Sequence, residues 1–125
     1  MLHPGERVLI RSAFPDRLDG ITLFRFFPEA QQIAESFPSI AATVEAFATA
    51  GFAPEALESV PQVTADSLRA WCERVRLRAD STLQPLDDAV FARRLAEAER
   101  AAAEETPARP VVDRLDLLVL TRPRL

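Results

Sequence analysis

Read for the alternation of apolar and polar positions, the chain divides into strand, helices, strand, a helical hairpin and strand. Arg7–Ser12 reads as the first strand: Val8, Leu9 and Ile10 form a short apolar run of the kind that fills a strand covered on both faces. Pro4-Gly5 marks a turn just before it. After Pro28 a short helix is expected, because Pro suits the first turn and Glu29 complements the helix dipole. Ser39 then caps a clear helix whose stripe is Ile40, Val44, Phe47 and Ala48. Gly51 ends it in the left-handed conformation, with Phe52 packing back on Phe47.

"ALESVPQVT" is the second strand, and Pro61, which lacks a ladder donor, places the strand's end at a sheet edge or past it. Residues 64–79 form the next helix, capped by Thr64 or Asp66, with Leu68, Trp71, Cys72 and Val75 on its apolar face. "RADSTLQPLDD" leads to a helix capped by Asp87 or Asp88. Its stripe is Phe91, Leu95, Ala98 and Ala102, with Arg93–Glu97 and Arg100–Glu104 spaced to pair outside. In the closing strand Leu115, Leu117 and Val119 share one face. On the other, Arg114 and Asp116 give way to Leu118 and Leu120, so its second half is expected to be covered on both sides.

Composition narrows the chemistry. The 125 residues suffice for one domain with a real core, and 48% apolar with 27% charged residues is a globular balance. Net charge is −4, and every cation is Arg, scattered from Arg7 to Arg124 instead of forming the basic stripe of a nucleic-acid binder. The absence of Lys, Asn and Tyr fits GC-rich coding. One Cys forms no internal disulfide, and neither a signal peptide nor a long apolar run is visible; a cytoplasmic protein with no membrane partner is expected. With one His and one Cys, a nucleophilic system would have to use His3, which reads as a solvated turn residue, and no metal cluster is expected. Cys72 reads as inert core. Asp87-Asp88 reads as a helix cap before an acid–base pair.

Ser12, Ala13 and Phe14 stand where a pocket opens if the first strand belongs to a parallel sheet; otherwise "AFPDRLDG" is an ordinary connection. The stretch with Phe24, Phe26, Phe27 and Phe37 is read as core first and as a cavity lining second.

Taken together, these segments resemble class I S-adenosylmethionine-dependent methyltransferases. "LHPGERVLIRS" is similar to that family's L-x-P-G-G turn and fifth strand, and "SIAATVEAFATAGF" to the following helix, which typically ends in Ala-Gly-Phe. "ALESVPQVT" would be the sixth strand. "VVDRLDLLVLTRP" would be the seventh, antiparallel and inserted between the fifth and sixth. "RVRLRADSTLQPL" looks like a stretch of bacterial small-molecule members. The likeness spans nearly the whole chain. Glu6 stands where the family usually has a second Gly, a departure that bears on the turn geometry.

The resemblance implies an α/β fold: a partial Rossmann-like sheet of the last three strands, the final one antiparallel. Residues 1–125 would be a single partial domain, with a helical insertion over 64–106. The family's first four strands, its Gly-rich cofactor loop and its ribose-binding acid have no counterpart here, since the only glycines are Gly5, Gly20 and Gly51. The whole family domain uses S-adenosylmethionine and transfers its methyl group by in-line displacement at the sulfonium. This chain alone is expected to bind no cofactor, to hold no catalytic residue and to be inactive. Its expected part is the substrate side, with Ser12, Phe14, Phe27, Arg78, Ser81 and Thr82 facing a small-molecule methyl acceptor. For Arg78 a helix-end cation is the alternative role, and for Ser81 and Thr82 the capping of a turn. An amino-terminal half in trans, or a second copy, would pair along Arg7–Ser12. Against this stand two other readings: a non-catalytic interaction module using that exposed edge, and an unrelated regulatory or ligand-binding α/β module.

Overall fold

The computed structural model describes residues 6–123; His3 and the Pro4-Gly5 turn lie outside them. The elements, in chain order, are β1 (Arg7–Ser12), α1 (Thr22–Phe26), α2 (Pro28–Ala34), α3 (Ile40–Ala48), β2 (Ala53–Ala65), α4 (Leu68–Val75), α5 (Asp88–Glu104) and β3 (Val111–Thr121). Among the described residues the fold is α/β, with an open three-stranded sheet in the order β1-β3-β2. β3 runs antiparallel to both neighbours, with Ile10 and Leu57 each opposite Leu118. β1 and β2 therefore run parallel to each other, joined by the α1–α3 crossover.

Side chains alternate across β3, and each face has its own core. On one, Val111 and Leu115 meet Phe24, Phe27, Trp71, Leu83, Phe91 and Leu95. On the other, Leu118 and Leu120 meet Phe14 and Phe52, with Val8, Ile10, Ile40, Val44 and Phe47 packed around them. Among the described residues α3 is thus the only helix on its side. It is a thin cover: its stripe is half-buried at Ile40, Val44 and Phe47, and Ala48 is exposed. Ser39 accepts from the Ala42 N–H, Gly51 takes φ 87°, and the Phe47 and Phe52 rings meet edge-on at 6.0 Å, as expected.

Four expectations change. Pro61 does not end β2, which runs on to Ala65. β2 is an edge strand, and Pro61 stands opposite Arg114, whose N–H turns the other way to the Gly20 carbonyl at 2.9 Å. The donor that Pro61 lacks therefore faces outward and costs the ladder nothing. The helix expected over 64–79 is shorter, because β2 claims Thr64 and Ala65. Ser67 caps it, accepting from Ala70 N–H. The outer face of α5 is tied through Arg94 to Glu29 and Glu97, in place of the pairs expected at Arg93 and Arg100. Finally, the Val8–Ile10 run is covered on one face only: Val8 and Ile10 pack over α3's cluster, while Leu9 is 63% exposed.

Several helix starts are capped from far away in sequence. The Thr22 N–H donates to Asp113 Oδ1 at 3.0 Å, the Ile40 N–H to Asp16 Oδ1 at 2.9 Å and the Leu68 N–H to Glu105 Oε1 at 3.3 Å. These carboxylates satisfy first-turn donors that the local sequence leaves open.

Candidate functional site

A cavity of about 410 Å³ opens between the sheet and the helices on the face away from α3. Its floor is strand: Asp113 and Leu115 of β3 and Thr64 of β2. Its walls are Leu23 and Phe24 of α1 and Trp71 and Val75 of α4. Phe37, Arg74, Asp80 and Ser81, all exposed, form the mouth. The mostly apolar walls follow from the amphipathic faces of α1 and α4 meeting an apolar strand.

The segment Arg78–Leu86 shapes the mouth, and two residues fold it. Asp80 Oδ1 accepts from the Thr82 N–H at 2.8 Å and the Thr82 hydroxyl at 2.6 Å, an Asx-type turn that buries Thr82. Arg78 adopts φ 52°, a left-handed conformation uncommon outside glycine. Its guanidinium donates to the carbonyls of Leu83 (3.1 Å), Gln84 (3.4 Å) and Leu86, pairs with Asp88 at 2.6 Å and stacks 4.8 Å from the Phe91 ring. One side chain thus ties together the loop that presents Ser81 and Thr82.

Of the six residues singled out in the sequence, Ser81 and Thr82 line this cavity. The other four lie elsewhere. Arg78 is directed into its own loop. Phe27 is fully buried, its ring 5.7 Å from that of Phe91. Phe14 belongs to the core on the α3 side, and Ser12 ends β1 opposite Asp116. The cavity also draws in residues that pattern reading assigned to core or strand. Asp113 and Trp71 are buried, and the Arg74 guanidinium donates to the Thr64 carbonyl. Asp113 is an acid on the face of β3 that otherwise carries Val111, Leu115, Leu117 and Val119, a break in the apolar pattern that does not by itself say what the acid does.

Three other features of the molecule lack this combination of cavity depth and open polar groups. A broader groove of about 590 Å³ runs along Glu104–Val112, but its partly buried carboxylate, Glu105, already accepts from the Leu68 and Arg109 N–H groups. Asp116 is 4% exposed; its Oδ2 lies 3.4 Å from Arg17 Nε, too poorly aligned for a hydrogen bond. Cys72 is buried, and burial, reinforced by Glu99 and opposed by Arg76, pushes its thiol up, away from the reactive thiolate. Among the described residues no group of three or more His, Cys, Asp or Glu could hold a metal ion, and no helix is long and apolar enough to cross a membrane.

A scan of protein-family models and searches of curated proteins and of solved structures return no match to this chain.

Proposed function

We propose that the chain is the carboxyl-terminal portion of an S-adenosylmethionine-dependent methyltransferase domain acting on a small molecule, in which it supplies the acceptor-side pocket and completes the sheet. The observation that carries the reading is the strand order. The last strand in sequence lies antiparallel between the first two, as the resemblance of "VVDRLDLLVLTRP" to the family's seventh strand implies. The cavity beside β3, with Ser81 and Thr82 in its wall, supports an acceptor pocket. The described residues do not fit the cofactor itself. A Cβ at Gly20 would meet the Arg114 Cβ at 2.9 Å, and the space beside Gly51 holds the Arg122 side chain, so neither glycine leaves its backbone open to a ligand. The cofactor's site is therefore assigned outside these residues, and no step of methyl transfer is assigned to them.

The test is to read the frame upstream of codon 1 for a strand, a glycine-rich loop and a helix. Any such extended protein, and the 125 residues alone, are then titrated calorimetrically with S-adenosylmethionine. Binding by the extended protein only is expected. No such frame, or tight binding by the 125 residues alone, overturns the proposal.

A second reading, an interaction module, is favoured by the outer edge of β1. The Arg122 N–H donates to the Glu6 carbonyl, so the ladder's alternation turns the backbone groups of Val8 and Ile10 toward β3 and those of Leu9 and Arg11 outward, where they make no hydrogen bond to a described residue. Specific capture of an extended peptide along β1, without cofactor binding by any longer form, would select it.

A further inference from the structure

We propose that the cavity takes a compact, largely apolar molecule carrying a hydrogen-bond donor, a hydroxyl or an amine, which sits on the Asp113 carboxylate. A molecule carrying a carboxylate is disfavoured. The inference rests on the acceptor-pocket reading only for its biological role; the binding chemistry follows from the cavity's own hydrogen bonds.

Most polar groups in the wall are already committed. The Thr64 hydroxyl donates to the Val111 carbonyl at 3.3 Å and the Thr82 hydroxyl to Asp80 Oδ1 at 2.6 Å. Arg74, the cation at the mouth, donates to the Thr64 carbonyl. Asp113 Oδ1 accepts from the Thr22 N–H at 3.0 Å. What the described residues leave open at the floor is Asp113 Oδ2, an acceptor; at the mouth they leave Asp80 Oδ2, the Ser81 hydroxyl and the remaining N–H groups of Arg74.

Depth decides between them. Asp80 and Ser81 stand at the exposed mouth, where water serves them, whereas Asp113 is 9% exposed at the floor, among apolar walls. Oδ2 keeps access to the cavity, so a guest that brings a donor to it gains a charge-assisted bond as its apolar body displaces water from Phe24, Trp71 and Leu115. A guest carboxylate would meet like charge at the floor and find the lining's cation, Arg74, only out at the exposed mouth.

The sequence holds a single Trp and no Tyr, so the fluorescence of Trp71 in the cavity wall reports occupancy directly. The probes are 4-phenylcyclohexanol, 4-phenylcyclohexylamine and 4-phenylcyclohexanecarboxylate, one skeleton with three head groups, titrated into the 125-residue chain without cofactor. Saturable changes are expected for the alcohol and the amine, with the carboxylate weaker by at least about tenfold. Asp113→Asn, which keeps an oxygen for the Thr22 N–H but removes the charge, should abolish the amine's advantage over the carboxylate. If circular dichroism shows that variant unfolded, the ranking on the unaltered chain decides alone. A carboxylate that binds as well as the others, or no response to any probe, overturns the inference. Failure of the S-adenosylmethionine titration with this ranking intact would remove the methyl-transfer reading and leave the cavity's selectivity standing.

Discussion

The two edges of the sheet are built differently. β2 carries Pro54 and Pro61, and its register against β3 shifts twice, between Pro54 and Ala56 and between Val63 and Ala65. Prolines and bulges of this kind keep an edge from recruiting another strand. β1 has neither device: its six residues pair with β3 without a shift, and its exposed face carries Leu9 between Arg7 and Arg11. The contrast teaches that β2 is finished as an outermost strand, whereas among the described residues β1 is protected by two charges alone, one of them already paired with Glu55 at 3.0 Å. That asymmetry is what the proposed function needs, since its remaining strands would lie beyond β1.

The comparison can be broken most forcefully through the strand both edges share. Leu120 is fully buried, so Leu120→Ala should cost about 2–5 kcal/mol in denaturant unfolding, in one transition that takes both edges together. Separate transitions would mean that the edges belong to separate units.

A smaller effect should separate them. Ser39→Ala removes the cap of α3, whose cluster covers Val8 and Ile10, at a cost of about 1 kcal/mol. Hydrogen exchange should quicken at Val8 and Ile10 and stay unchanged at Gln62; equal quickening would deny β1 its dependence on α3.

Smaller still in stability, within about 0.5 kcal/mol, are Leu9→Lys and Val63→Lys, both at exposed positions. At high concentration Leu9→Lys should suppress association seen by size-exclusion chromatography and Val63→Lys should not. Equal behaviour would erase the difference between the edges.

The smallest effect lies away from both edges and serves as the control. The Arg94 guanidinium, bonded to Glu29 at 2.9 and 2.7 Å, holds the Glu29 carboxyl below its ordinary value, against a weaker upward push from burial. A depressed carboxyl contributes stability above its unfolded value and loses it as pH falls through the folded one. Acidification below the ordinary carboxylate range should therefore lower stability slightly, and Glu29→Gln should remove that part of the pH dependence.

Much of this architecture was legible from pattern alone, for identifiable reasons. Ser39, Gly51 and Phe52 encode the ends of α3 within a few residues, and Leu68, Trp71, Cys72 and Val75 repeat at helical spacing. The alternation around Leu118 and Leu120 announced a strand buried on both faces. What was not legible depends on contacts across long separations. Asp113 is 91 residues from the Thr22 N–H that it caps, and no local rule marks it as a helix cap or a cavity floor. Thr64 looked like the start of a helix because nothing nearby shows that β3 holds it in a strand. Arg78 read as a substrate-side residue, or else as a helix-end cation, because its partners are the carbonyls of a loop that it gathers around itself.

That loop has a consequence for how the cavity could diversify. Arg78 both bends the chain and clasps its far end, and the Asp80–Thr82 turn holds the middle, so the side chains of Ala79 and Ser81 carry none of the frame. Exchanges at Ala79 and Ser81 would redraw the entrance while the frame persists, whereas Arg78→Gly would ease the backbone and release the clasp. Selection for new guests would therefore fall on the rim and spare the hinge pin that holds it.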